Sequence, residues 1–119
     1  MKKNIVKEKS LDFAVRIVKL HQYVASDKKE FIMSKQLLRS GTSVGAMIRE
    51  AEHAESKADF IHKLSIAQKE ANETLYWLEL LKKTEYLENT EFESINHDAE
   101  EIIKLLTKII VTSKEGKKS

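Results

Sequence analysis

TEFESINHDAEEIIKLLTKIIVTS, residues 90–113, decides the fold. Wound at about 100° per residue, it places Phe92, Ile95, Ala99, Ile102, Ile103, Leu106, Ile109 and Ile110 on one side. His97, Glu101, Lys104 and Lys108 fall on the other. This is an amphipathic helix that needs a partner for its apolar side. Thr90 and Glu93 form a Thr-x-x-Glu capping box that marks its start. Three further segments of the same kind precede it. Ser10 caps a helix to about Ala25, and Asp27 with Glu30 starts a second to about Ala54. Ser56 and Asp59 start a third to about Lys83. The links near Ser26, Glu55 and 85–89 are short, and short links force antiparallel neighbours. The predicted fold is all-α: an up-down-up-down four-helix bundle over 10–113, with a basic arm at 1–9 and a basic tail at 114–119.

Composition agrees. In 119 residues there are 0 Pro, 0 Cys and 3 Gly, which argues against a turn-rich β fold and removes disulfides, thiolate metal sites and cysteine nucleophiles. Net charge is +2, but it is uneven. Residues 1–9 carry four Lys and one Glu, and residues 113–119 carry three Lys and one Glu. The remainder is slightly acidic. Basic ends on such a body can meet phosphate, or can simply solubilise the termini. The apolar stretch after Lys3 is only Ile5-Val6, too short for a secretory signal, and no run reaches the roughly 18 apolar residues of a membrane span. The expected location is cytoplasmic, with no membrane partner.

Two helices have features that need a reason. Helix two turns Gly41 and Gly45 inward with Leu37, Val44 and Ile48. An interior helical Gly costs about 1 kcal/mol relative to Ala, so close approach of a neighbouring helix is the expected compensation. Helix three buries Phe60, Leu64, Ala67, Ala71, Leu75 and Leu78, yet Ile66, Trp77 and Leu80 lie opposite, with Tyr76 beside them. Helix one is apolar around most of its circumference. A second apolar stripe points to self-association, and Trp and Tyr are favoured at interfaces.

Chemistry is sparse. Glu50-Ala51-Glu52-His53 and Asp59-Phe60-Ile61-His62 match the Glu-x-x-His spacing of di-metal bundles, but both His point away from the apolar faces and the interior has no carboxylate ring. Ser40, Thr42 and Ser43 lack the strand-borne elbow of a serine hydrolase, and Gly41 to Gly45 lacks the Lys of a phosphate loop. No catalytic residue, metal or cofactor is expected. Lys35, Arg39 and Arg49 form an outward cationic strip on helix two, a candidate nucleic-acid contact.

The stretch Leu37–Leu81, LLRSGTSVGAMIREAEHAESKADFIHKLSIAQKEANETLYWLELL, resembles the bacterial four helix bundle protein family, also called the 23S ribosomal RNA intervening-sequence protein family. The likeness rests on Arg39 to Ala46, Arg49-Glu50-Ala51, Ser56-Lys57 with Asp59-Phe60, and Lys69 to Leu78, and extends more weakly over about 9–112. Met47 stands where members commonly have Asn, and Gln68 where they have an apolar residue. The resemblance implies a ring-like homo-oligomer, a pentamer. It also implies kinship with accessory proteins of diversity-generating reverse transcriptases that contact nucleic acid. It implies no catalytic residues, a packing role for Gly41 and Gly45, and an interface role for Tyr76 and Trp77. The expected function is a non-enzymatic accessory protein that binds RNA, DNA or a nucleic-acid enzyme such as a reverse transcriptase. The alternative is a structural adaptor that recruits a protein through the stripe on helix three.

Overall fold

A computed structural model describes residues 4–116; residues 1–3 and 117–119, parts of the two basic ends, lie outside them. The described residues contain four helices: α1 (Ile5–Ser26), α2 (Ile32–Ala51), α3 (Lys57–Lys83) and α4 (Asn89–Lys114). No strand occurs among them. Each helix packs on its chain neighbour and α4 returns to α1, while the backbones of the diagonal pairs stand further apart. The cross-helix bonds give the directions. Lys7 near the start of α1 meets Glu52 just past the end of α2. Lys63 early in α3 meets Glu50 late in α2. Gln68 of α3 reaches Thr107 of α4, and Lys9 of α1 reaches Glu101 of α4. Neighbouring helices therefore run antiparallel, in a bundle 47 × 25 × 23 Å.

The α3 start follows its sequence signal. The Ser56 hydroxyl accepts from the Asp59 amide at 3.0 Å, and the Asp59 carboxylate reaches back past the cap to accept from the Glu55 amide at 3.2 Å. The other starts move. Helix α1 begins at Ile5, capped by the Asn4 side chain, which accepts from the Lys7 amide at 3.1 Å. Ser10 is thus an interior helical residue, buried, with its hydroxyl on the Lys7 carbonyl at 3.0 Å. Ile5 to Lys9 of the expected arm belong to the bundle: Val6 is in the core and Lys9 pairs with Glu101. Helix α2 begins at Ile32 because the Glu30 carboxylate itself accepts from the Ile32, Met33 and Ser34 amides at 2.9–3.1 Å. It stops at Ala51, short of Ala54. Helix α4 begins at Asn89, with Glu88 at the cap and no side-chain cap bond, so Thr90 and Glu93 lie inside its first turns.

One core runs the length of the bundle. Phe13 and Ile17 from α1, Leu37 from α2, Leu78 and Leu81 from α3, and Ile95, Ile102 and Leu106 from α4 are fully buried. Four polar side chains are buried with them: Ser10, Ser34, Ser40 and Thr74. Ser40 and Thr74 hydrogen-bond across the α2–α3 contact at 2.9 Å. Among the described residues no buried side-chain N or O lacks a partner, which is what makes such groups tolerable in a core.

The inward glycines sit where α1 and α2 approach. A Cβ on Gly41 would lie 2.8 Å from both Cγ1 and Cγ2 of Ile17. One on Gly45 would lie 3.4 Å from the Ser10 carbonyl oxygen and hydroxyl. The absent side chains are thus filled by α1. No described helix is long and apolar enough to cross a membrane.

Candidate functional site

Lys35, Arg39 and Arg49 are all exposed on α2, but they are not equivalent. Arg39 is committed to its own protein. Its Nη1 donates to Glu70 Oε1 at 3.2 Å, its Nη2 donates to Glu73 Oε2, and its Nε donates to Gln36 Oε1 at 3.2 Å. The carboxylates raise the Arg39 guanidinium above its ordinary pKa. Lys35 and Arg49 make no ion pair among the described residues. Arg49 edges an open hollow that it shares with Glu50, His53, Glu55, Asp59 and Lys63, so its surroundings carry both signs. The strip therefore offers two free cations at separate positions and one that is neutralised. A helical wheel of α2 alone could not show this, because the neutralising acids belong to α3.

Glu73 also holds the α3 aromatic pair. The Trp77 indole N–H donates to Glu73 Oε2 at 2.9 Å, and the Tyr76 ring meets the Trp77 ring edge-on at 4.9 Å and 73°. Of the stripe residues only Tyr76 is exposed; Ile66, Trp77 and Leu80 are half-buried, and Trp77 rests against the core. The more open apolar face is on α1. Leu11, Val15 and Val18 are 50%, 46% and 38% exposed, and their spacing puts them on one side of that helix.

The indole N–H first, and then the Arg39 guanidinium, hold the Glu73 carboxyl below its ordinary range. A depressed acid contributes stability that is fully present above its unfolded pKa, about 4.3, and is lost as pH falls through the lower folded value. Trp77 is the chain's single Trp, so it reports locally. Its emission is expected to shift as the solution is acidified below about pH 4, and Glu73→Gln is expected to remove that step. A wild-type emission that stays flat until global unfolding would contradict the assignment.

The remaining candidates are engaged structurally. The Thr42 hydroxyl donates to the Leu38 carbonyl and the Ser43 hydroxyl to the Arg39 carbonyl, both at 2.7 Å, and neither has a histidine partner. Glu50 is paired with Lys63 at 3.0 Å, and Asp59 serves as a cap. His53 and His62 are exposed, and among the described residues no group of three His, Asp or Glu is placed to hold a metal ion. A hollow of about 450 Å³ on the α1–α4 seam is lined by Arg16, Lys19, Leu20, Tyr23, Leu87 and Glu91, among others. Its main cation is already engaged: Arg16 pairs with Asp98 at 2.7 Å and with Glu91 at 2.8 Å.

Known proteins give the wider setting. None of the curated proteins matches the chain. A solved structure resembles it closely: a protein of unknown function from the S23 ribosomal protein family of Bacteroides thetaiotaomicron VPI-5482. The two share 65% identity over 94% of this chain and 100% of that one, with a TM-score of 0.92. The family model for the 23S rRNA-intervening sequence protein matches residues 2–108, nearly the whole bundle. With that span matched and the fold shared, the chain belongs to the 23S rRNA-intervening sequence protein family.

Proposed function

We propose that the protein is a non-enzymatic bundle that assembles into a ring-like homo-oligomer and acts as an accessory protein for nucleic acid or a nucleic-acid enzyme. The observation that carries the reading is the open α1 face of Leu11, Val15 and Val18. A contiguous exposed apolar face of this kind marks an interaction surface. A second apolar feature, Tyr76 beside Trp77, sits on α3, diagonally across the bundle from α1. Two unlike patches on opposite helices favour a head-to-tail contact, and a head-to-tail contact closes into a ring when the rotation permits. A pentamer is the ring the family resemblance implies. Each added copy repeats Lys35 and Arg49, so a weak phosphate affinity per copy is multiplied in the assembly.

Light scattering of the wild type and Val15→Asp tests this. The wild type is expected as a multimer and the variant as a smaller, still helical species. Addition of a short RNA or a short DNA duplex at low salt is expected to raise the wild-type mass, and physiological salt to reverse the gain. A wild-type monomer would overturn the assembly. A multimer that ignores both nucleic acids would leave the second reading, an adaptor for a protein partner. That reading is favoured by one observation, the loss of Arg39 to Glu70 and Glu73.

A further inference from the structure

The link between α1 and α2 has an unusual surface. Phe31 and Ile32 stand side by side at 61% and 78% exposure. Their outward placement is built in. Lys29 adopts φ 58°, which turns the chain sharply. Glu30 then folds inward, and its carboxylate accepts from three amides of the first turn of α2. That carboxylate satisfies the end of the helix and leaves Phe31 outside it. In sequence the apolar pair follows Lys28 and Lys29 closely, and Lys35 lies one helical turn beyond Ile32; none of the three makes an ion pair among the described residues. Lys28 Nζ lies 6.0 Å from the centre of the Tyr23 ring. Asp27 is the one other acid of the turn.

We infer that this turn binds unpaired nucleic acid, with Phe31 as a stacking platform for a base and Lys28, Lys29 and Lys35 as contacts for the adjoining phosphates. The inference rests on the nucleic-acid reading above and names the place and the form of ligand. An exposed aromatic ring beside cations is the pairing by which single strands are held without sequence preference. Phosphate contacts alone would serve a duplex equally well. The ring adds something only where a base face is open, so an unpaired strand is the better fit. Ile32 widens the apolar surface that a stacked base would cover.

Fluorescence anisotropy decides it, with labelled oligouridylate and oligothymidylate of about twelve nucleotides and a duplex of equal length. Each is titrated at about 50 and 200 mM salt. Phe31→Ala is expected to weaken binding of the single strands by about five- to hundredfold and to leave the duplex nearly unchanged. Phe31→Trp is expected to restore the loss, and Lys35→Glu to weaken every probe and lower the salt slope by about one. Preference for either oligonucleotide supports the inference and states which backbone is favoured. Equal binding of single strand and duplex, unmoved by Phe31→Ala, overturns this inference while the nucleic-acid reading stands. No binding of any probe overturns both. A fall in solution mass for Phe31→Ala would assign the turn to contacts between copies and overturn the inference. So would cosedimentation with phosphatidylserine vesicles in the absence of oligonucleotide binding. Circular dichroism checks that each variant keeps its helices.

Discussion

Phe13→Ala is expected to cost about 3–5 kcal/mol of unfolding free energy, the range for an emptied buried aromatic site. Phe13 is fully buried in a core that all four helices share. The surrounding side chains collapse only partly into the space, so lost transfer energy and a residual cavity both contribute. A domain of this size is ordinarily stable by only about 5–15 kcal/mol. Thermal unfolding is therefore expected to fall by on the order of 10–25 °C. Leu11→Ala, two positions away on the open face, should stay within about 0.5 kcal/mol for the isolated chain and act on assembly instead. Equal losses for the two would mean that α1 is packed differently from the arrangement described.

The second large effect concerns the glycines, and it has opposite signs at two positions four residues apart. Gly41→Ala gains about 1 kcal/mol of helix propensity, but its new Cβ would lie 2.8 Å from two branch carbons of Ile17. Those carbons are fixed close to the α1 backbone, and Ile17 is completely buried, so neither can swing away. Overpacking of this kind costs about 1–3 kcal/mol, and the net expectation is a loss of about 1 kcal/mol. Gly41→Val adds two more methyl groups and is expected to lose more. At Gly45 the nearest atoms are 3.4 Å away, close to ordinary contact. Gly45→Ala is therefore expected to be neutral or to stabilise by up to about 1 kcal/mol. Paired denaturant titrations would read both. Stabilisation by Gly41→Ala would show that α1 and α2 do not approach as described.

Much of the fold is legible in the amino-acid sequence because the cue is periodic and long. Helix α4 carries its apolar residues from Phe92 to Ile110, about five turns, and α3 announces its start with Ser56 and Asp59. The displaced boundaries have local causes. Lys7 and Lys9 read as part of a charged tail, yet each finds an acid on another helix or at its end, and Asn4 caps ahead of them. Glu30 reads as one half of a box with Asp27, yet it caps α2 alone. Surface function is harder to read, since a helical wheel shows one helix and an interface involves several. Arg39 points outward on its own wheel and is nonetheless neutralised by acids that arrive from α3. The stripe of Ile66, Trp77 and Leu80 faces away from the α3 core line and is still half covered. The open face on α1 is the ambiguous one, because a helix that is apolar nearly all round does not say which side meets the core.

The cyclic packing order also shapes how the chain reaches this state. Three of the four helix contacts join chain neighbours across links of a few residues, so they close small loops and form early. The fourth joins ends far apart in sequence: Arg16 meets Asp98, 82 positions on. That closure is the one step with a large entropic cost, and it gains from ion pairs that salt screens. Collapse of the first three contacts belongs to the fast regime of local topologies, and docking of α4 on α1 is left as the late event. The same seam is the most sparsely packed of the four, so hydrogen exchange is expected to find it opening before the α2–α3 pair loosens.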